Sequence, residues 1–252
     1  MDVVSIMTPK GGVGKTTTAS TLAYILGQEC GGRVLVVDAD PQGDISKMFG
    51  CFDTDTFSIS LETESSKGMK RAVRKTMYPN IDILPTNGRL MQTSNVLANL
   101  PGTQQIHRFS NIVSALKNDY GWCICDCGRL LDLVVLNILV ETDLVISPIK
   151  AGGFEVNAME NLLREIAGIR KFNKKIDAKI LLTMARNTKA FRATEKWAKE
   201  HSGFNCFKET IGMSTVIEQA TIQNTPLPDF AKKAAVTCSY RKVVDEIYEE
   251  VK

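Results

Sequence analysis

A short stretch rich in lysine and glycine near the N-terminus carries the residues best suited to chemistry. It reads PKGGVGKTT over residues 9–17 and follows an apolar run. The stretch fits the phosphate-loop pattern G-x-x-x-x-G-K-[ST], except that Pro9 stands where the pattern has its first glycine. In that pattern Lys15 neutralises the β- and γ-phosphates of a nucleotide, and the Thr16 hydroxyl is a natural Mg²⁺ ligand. Lys10 is a second cation in the same loop, beyond what the pattern requires.

Three glycines allow this loop to wrap closely around a phosphate group. Gly11, Gly12 and Gly14 carry no side chain, so several backbone N–H groups can turn inward toward phosphate oxygens. A helix predicted to begin at Thr16 adds the favourable field of its N-terminus. The alternative is a glycine-rich turn with an accidental lysine. The strand–loop–helix context favours the phosphate site.

Aspartates follow two further apolar runs. Asp38 and Asp40 end the segment RVLVVDAD, and Asp126 lies in WCICDCG. In a doubly wound parallel sheet, ligands collect at the carboxyl ends of the strands. A carboxylate there can hold Mg²⁺ directly or through water, or it can orient an attacking water. Each aspartate taken alone could equally be a helix cap or a turn residue.

Short apolar runs alternate with helical stretches along the chain, which indicates βα units and a parallel sheet. Residues 52–78 are polar and hard to assign, and no repeat or low-complexity linker is evident. We therefore expect a single α/β domain over residues 1–252, a P-loop NTPase fold whose mostly parallel, twisted sheet carries helices on both faces. The predicted strands are Val3–Met7, Arg33–Asp40, Asn80–Thr86, Trp122–Gly128, Asp143–Ile149 and Ala178–Ala185. The predicted helices are Thr16–Gln28, Ile106–Lys117, Asn157–Phe172, Ala190–His201 and Tyr240–Val251.

Composition places the chain among soluble intracellular proteins. It is 44% hydrophobic and 23% charged, with a net charge of +3. No apolar run reaches the roughly 18 residues that a membrane span needs, and the N-terminus lacks the features of a signal peptide. The seven cysteines are scattered and odd in number, which fits a reducing compartment. We expect a cytoplasmic protein.

The segments KGGVGKTT, VLVVDADPQG and CDCG, in this order, resemble the ParA/MinD family of deviant Walker ATPases, most of all its small ParA-type partition ATPases. NIDILPTNGRLMQTSNVLA is similar to the family's strand and helix after its variable region. TPLPDFAKKAAVTCSYRKVVDEI is similar to its C-terminal stretch that closes over adenine. The family's loop reads K-G-G-x-G-K-T, so a glycine is not required at Pro9. The resemblance implies ATP and Mg²⁺ as cofactors and a homodimer that forms on ATP binding.

The resemblance also implies a role for each matching loop residue. Lys10 would reach across the dimer to the partner's phosphates at the transition state, which accounts for the second lysine. Lys15 would bind the β- and γ-phosphates, Thr16 would ligate Mg²⁺, and Thr17 would help to hold the α-phosphate. The expected nucleotide-binding residues are Lys10, Gly11, Gly12, Val13, Gly14, Lys15, Thr16, Thr17 and Asn187.

The aspartates take different roles under the same resemblance. Asp40 would position the attacking water and join the metal site, so the expected catalytic residues are Lys10, Lys15 and Asp40. Asp126 would hold the metal through its water shell, and Asp38 would support the site from behind. Asn187 is either an adenine contact or a polar turn residue.

The turn after Asp126 departs from the family pattern. The usual sequence is D-C-P-P-S, whereas this chain continues Cys127-Gly128-Arg129. Losing both prolines loosens a turn that borders the phosphates, so we expect weak basal turnover. Arg129 is either an extra phosphate contact or a solvated loop arginine. Cys123, Cys125 and Cys127 alternate along a strand, and we expect small buried hydrophobic residues rather than a metal site.

The expected DNA contacts also depart from the family. Small ParA proteins bind DNA partly through arginines in a segment where this chain has Met213 and Val216. Residues 164–199 instead contain eleven Lys or Arg against three acidic residues, a local net charge of +8. Lys189, Arg192, Lys196 and Lys199 share one face of a predicted helix and could contact DNA phosphates without sequence preference. The alternative is a solvated helix face.

The expected function is that of a Mg²⁺-dependent ATPase that acts as an ATP-driven homodimer switch in plasmid or other DNA partition. Nonspecific DNA and a centromere-binding ParB-type protein are the expected partners, and DNA binding would place the protein at the nucleoid. One alternative is ATP-dependent positioning of a protein or conjugation complex without DNA binding. Another is an ATP-bound regulatory module with little hydrolysis. The acidic C-terminal helix argues against membrane attachment, and a strand beginning at residue 3 leaves no N-terminal helix-turn-helix domain.

Overall fold

The apolar runs of the sequence form a single eight-stranded sheet in the computed structural model, which describes residues 1–62, 66–150, 155–200 and 205–251. In those ranges the spatial order is β3-β4-β2-β5-β1-β6-β7-β8, and the strands pair in parallel except for β3 with β4. The strands are β1 (Asp2–Ile6), β2 (Val34–Ala39), β3 (Arg74–Lys75), β4 (Ile81–Leu84), β5 (Trp122–Cys127), β6 (Leu144–Lys150), β7 (Asp177–Thr183) and β8 (Asn205–Cys206).

Helices connect these strands and cover the sheet. They are α1 (Lys15–Tyr24), α2 (Asp44–Met48), α3 (Thr56–Glu62), α4 (Ser66–Ala72), α5 (Leu90–Ala98), α6 (Arg108–Leu116), α7 (Leu133–Leu139), α8 (Glu155–Ile169), α9 (Lys189–Glu200), α10 (Thr215–Ile222), α11 (Leu227–Phe230) and α12 (Ala235–Val251). A π-helical turn, Ile25–Glu29, continues α1. Within the described ranges, none of these helices combines the length and the apolar composition needed to cross a membrane.

The sheet lies between two hydrophobic clusters because its central strands are buried on both faces. Val4 and Val36 face a cluster built with α1 and α12, whereas Val3 and Leu35 face a second one built with α3 and α6. Near-continuous apolar strands are typical of parallel sheets that are covered on both sides. The predicted α/β class and the mostly parallel sheet are therefore confirmed, with helices on both faces.

The six predicted strands and five predicted helices are all present, with ends shifted by a few residues. The α12 helix begins at Ala235, five residues before its predicted start at Tyr240. The elements that the sequence did not predict are short. Three of them, α3, α4 and β3, fall in residues 52–78, where a polar sequence hides a few apolar anchors such as Phe57 and Leu61.

The three clustered cysteines lie where the strand alternation predicted them. Cys123, Cys125 and Cys127 are fully buried and belong to the second hydrophobic cluster. The Cys123 and Cys125 sulfurs are 3.8 Å apart. Burial raises the pKa of the Cys125 thiol well above its usual range, which keeps it neutral. These side chains thus pack as small apolar groups, as predicted.

Candidate nucleotide-binding site

The glycine-rich loop joins β1 to α1 at the centre of the sheet. β1 lies between β5 and β6, and the strand order reverses there. Gly12 has φ 69° and Gly14 has φ 93°, left-handed conformations that glycine adopts without strain. Gly14 is the N-cap residue of α1, and its carbonyl accepts a hydrogen bond of 2.9 Å from the Thr18 N–H. The loop therefore sits at a topological switch point, in front of a helix N-terminus.

Two side chains from distant elements hold this loop in place. The Thr183 hydroxyl, at the end of β7, donates to the Val13 carbonyl at 2.9 Å. The Thr18 hydroxyl lies 3.0 Å from the Tyr240 hydroxyl of α12, and both groups are buried. The sequence predicted neither contact, although Tyr240 was expected to begin the C-terminal helix. Thr183 lies within the predicted strand Ala178–Ala185 and is the last residue of β7, and its place near the ligand edge of the sheet was the signal that the sequence offered.

Lys15 and Thr16, at the start of α1, lie beside Asp126 of β5. Burial raises the pKa of Asp126 to about 7, while the Thr16 hydroxyl and the Lys15 charge oppose that rise. Lys15 is itself buried, and both Asp126 oxygens are buried without a well-formed hydrogen bond to any described residue. A buried carboxylate is normally satisfied by a hydrogen-bond donor or a cation. Carboxylate and hydroxyl oxygens are ligands that Mg²⁺ prefers, so these residues fit that ion.

Asp38 organises the turn after β2. Its side chain is fully buried, and its Oδ1 accepts the Asp40 N–H at 3.2 Å. Its Oδ2 accepts both the N–H, at 3.1 Å, and the hydroxyl of Ser46 in α2. Burial, together with the negative charge of Asp126, raises the pKa of Asp38 well above its usual range. The Asp38 carboxylate therefore fixes the backbone that presents Asp40.

Asp40 lies at the mouth of the site rather than inside the sheet. It is half-buried, and its Oδ1 accepts the Gln42 N–H at 3.0 Å. Lys10 is half-buried at the outer end of the loop. The two residues thus remain accessible from the face at which the strands end.

A largely apolar cavity adjoins the loop on the side of β7. Gly14 and Thr17 line it from the loop, and Met184, Ile211 and Tyr240 from the other side. Met184 has φ 53°, an uncommon conformation for a long side chain and one that stores strain. The cavity has the apolar walls that suit a flat heterocyclic base.

Asn187, expected near adenine, stands outside the lining of this cavity. Its amide oxygen accepts a hydrogen bond from the Arg192 guanidinium. Met184, three residues earlier on the same loop, lines the cavity instead. The sequence gives no polar or periodic signal for Met184.

Helix α9 carries the basic face that the sequence predicted. Lys189, Arg192 and Lys196 are exposed, whereas Phe191 and Thr194 are buried against the sheet. The Lys196 ammonium lies 4.0 Å from Glu200, an exposed pair of small energetic value.

Two further observations concern the predicted DNA-binding residues. The side chain of Lys199, the fourth member of the predicted face, lies outside the described part of the structure. The exposed Arg186, which the sequence analysis did not single out, donates from its Nε to the Met213 sulfur. Arg186 therefore lies beside Met213, one of the two positions at which the family resemblance led us to expect an arginine.

Comparisons with known proteins agree with this geometry. A family model described as an AAA domain matches residues 1–178. Chromosome partitioning protein ParA of Caulobacter vibrioides is 28% identical over 252 residues, covering 97% of this chain and 93% of that protein.

Solved structures share the fold. Cobyrinic acid a,c-diamide synthase from Mycobacterium smegmatis, with bound ADP and magnesium, superimposes with a TM-score of 0.84 at 22% identity, covering 99% of this chain and 94% of that one. A plasmid partition protein from Borrelia burgdorferi gives a TM-score of 0.78 at 19% identity, covering 99% of each chain. The first of these proteins is named as a synthase and the second as a partition protein, so the likeness of structure establishes the fold alone.

Proposed function

Because the chain belongs to the ParA/MinD family of P-loop ATPases, we propose that it binds and hydrolyses Mg²⁺-ATP and uses this cycle as a homodimer switch in DNA partition. One observation carries the proposal. The loop between β1 and α1 brings Lys15 and Thr16 beside the buried Asp126 carboxylate, whose oxygens have no well-formed hydrogen bond to any described residue. A metal–phosphate group bound on the loop would satisfy that carboxylate.

The nucleotide would lie across the loop. Its base would enter the apolar cavity beside Met184 and Tyr240, and its phosphates would accept hydrogen bonds from the loop N–H groups. Lys15 would neutralise phosphate charge, and Thr17 would hold the α-phosphate. Thr16 and Asp126 would hold Mg²⁺, which would neutralise the charge that develops on the phosphates.

Hydrolysis would depend on two residues at the mouth of the site. Asp40, on a backbone that Asp38 fixes, would orient the attacking water. Lys10 would complete the site of a second copy across the dimer, so that ATP binding and dimerisation are coupled. The weak basal turnover expected from the sequence follows if closure of the dimer is rare without a partner protein.

Partition is the finer part of the proposal. The exposed Lys189, Arg192 and Lys196 face on α9, with the nearby Arg186, supports ATP-dependent binding to nonspecific DNA. Helix α9 begins five residues after Met184, which lines the base cavity, so nucleotide binding has a short route to this face. A centromere-binding ParB-type protein would then stimulate hydrolysis and release the DNA.

The first experiment tests the ATPase with purified full-length protein. Lys15→Ala should abolish ATP binding, whereas Asp40→Ala should bind ATP and lose turnover. Asp44→Ala is the matched control, because Asp44 follows on the same turn, pairs with the exposed Lys47 and should keep both properties. Tight ATP binding without turnover in the wild type would support the regulatory module instead.

The second experiment measures retention of nonspecific duplex DNA with ATP, with ADP and without nucleotide, at two salt concentrations. Binding should require ATP and fall steeply with salt, because lysine and arginine displace counterions from DNA. Arg192→Glu/Lys196→Glu should abolish it, and Lys70→Glu/Lys117→Glu, a charge reversal on α4 and just after α6, should not. ATP-dependent dimerisation without DNA binding would favour positioning of a protein complex.

A further inference from the structure

Arg129 lies directly over the phosphate loop. It is an exposed residue of the turn between β5 and α7, and its guanidinium fills the space that a side chain at Gly11 would occupy. A Cβ atom built on Gly11 would be 2.9 Å from the Arg129 Nη1 and 3.5 Å from its Cζ. Because Gly11 has no side chain, the Arg129 guanidinium can pack directly against the loop backbone.

The turn that carries Arg129 is held by contacts that do not involve its guanidinium, as far as the described residues show. The Gly128 N–H donates to the Ala39 carbonyl at 3.0 Å, a bond that proline at position 128 could not make. Asp132, three residues after Arg129, caps α7 through the Val135 N–H at 3.0 Å and accepts the Ser94 hydroxyl at 2.9 Å. Throughout the described ranges, Arg129 forms no ion pair with a carboxylate.

Arg129 and the apolar cavity proposed to take the base lie on opposite sides of the loop. The base cavity lies on the β7 side of the loop, through Thr183 and Met184. Arg129 arrives from the opposite side, after β5, beside the turn that follows β2. A nucleotide with its base in that cavity, running over Gly14 and Thr17, would extend its last phosphate toward Gly11.

We propose that Arg129 binds the γ-phosphate and makes this site prefer ATP over ADP, an inference that rests on the proposed nucleotide site. A guanidinium presents a rigid fork of N–H donors that matches two phosphate oxygens, and such charge-assisted pairs are stronger than neutral ones. ADP lacks the group that this fork would bind. Three cationic side chains, Lys10, Lys15 and Arg129, would then lie at this short loop.

The test compares the affinities of Mg²⁺-AMPPNP and Mg²⁺-ADP by titration calorimetry. Arg129→Ala should weaken AMPPNP binding by about tenfold and leave ADP binding within about twofold, because only the γ-phosphate loses charge-assisted hydrogen bonds. Arg129→Lys should recover part of the loss. The matched control is Leu130→Ala, since Leu130 is the next residue and is 77% exposed.

The outcomes separate this inference from the proposal on which it rests. If the wild type binds neither nucleotide, the proposed function fails and the γ-phosphate contact fails with it. If the wild type binds both and Arg129→Ala weakens them equally, or changes neither, only the γ-phosphate contact is refuted. Melting temperatures without nucleotide should be the same for all variants, because Arg129 is exposed and makes no ion pair within the described chain. If Arg129→Ala does not fold, the ratio of AMPPNP affinity to ADP affinity in Arg129→Lys decides instead: a ratio equal to that of the wild type would refute the γ-phosphate contact.

Discussion

Replacing Asp38 by asparagine should destabilise the protein by about 2 kcal/mol, because an amide cannot accept every hydrogen bond that the carboxylate accepts. Oδ1 accepts the Asp40 N–H, and Oδ2 accepts the Ser46 N–H. In either orientation of the amide, its nitrogen faces one of these N–H donors. The side chain is 0% exposed, so water cannot satisfy the donor that loses its acceptor.

Urea denaturation measures this loss. With a slope of about 2 kcal/mol per molar urea, the midpoint should fall by about 1 M. Asp44→Asn is the control on the same turn, because the Asp44 carboxylate pairs with the exposed Lys47 and its replacement should change the free energy of unfolding by less than about 0.5 kcal/mol. Asp38→Asn should also lower ATP turnover more than AMPPNP binding, since Asp40 loses its support. Equal midpoints for both variants would refute the view that Asp38 holds this turn.

Three further outcomes follow from the packing and the site. Gly27→Ala places a methyl group 2.7 Å from the Ile81 Cγ1 and should lower the free energy of unfolding by about 1–3 kcal/mol in the same urea assay. Gly168→Ala meets open space and should raise it by about 0.5–1 kcal/mol, because alanine favours the helical conformation of α8. Tyr240→Phe leaves the Thr18 hydroxyl unpaired and should cost about 1 kcal/mol. Burial raises the pKa of Tyr240 to about 12 because the phenolate is costly to bury, so the stability that comes from burying the neutral phenol is complete below pH 10 and falls as the pH rises through 12; unfolding curves across that range test it. EDTA should abolish the rise in melting temperature that ATP with Mg²⁺ produces, as a thermal melt with and without chelator would show.

Much of the fold follows from patterns in the sequence because the central strands are buried on both faces. Their apolar runs, such as Val34–Ala39 and Trp122–Cys127, are unbroken and end at chemically distinctive residues. The short elements gave no such signal. Helix α3 in residues 52–78 uses only two large apolar anchors, Phe57 and Leu61, which is too few for a helical period to be read.

The places of the loop, Asp38 and Asp126 could be predicted because glycine and lysine in the phosphate-loop spacing have few other uses, and because aspartates follow two further strands of the same sheet. The apolar cavity beside the loop could not, because its walls are ordinary residues such as Met184 and Ile211 brought together from separate elements. Only the tertiary fold makes them neighbours. For the same reason the sequence offered no signal for Met184, which lines the cavity from the loop that also carries Asn187.

The turn after Asp126 shows what the fold adds to a departure from a motif. From the sequence, Gly128 and Arg129 mean the loss of two prolines and a looser turn. In the fold, the Gly128 N–H replaces that rigidity with a hydrogen bond to Ala39, continuing the β2–β5 ladder by one residue. The same bond holds the backbone that lays Arg129 over Gly11. The departure therefore replaces a stiff apolar turn by one that a backbone hydrogen bond holds in place. This turn places the positive charge of Arg129 at the phosphate loop, so a residue that interrupts the motif adds a cation to the site.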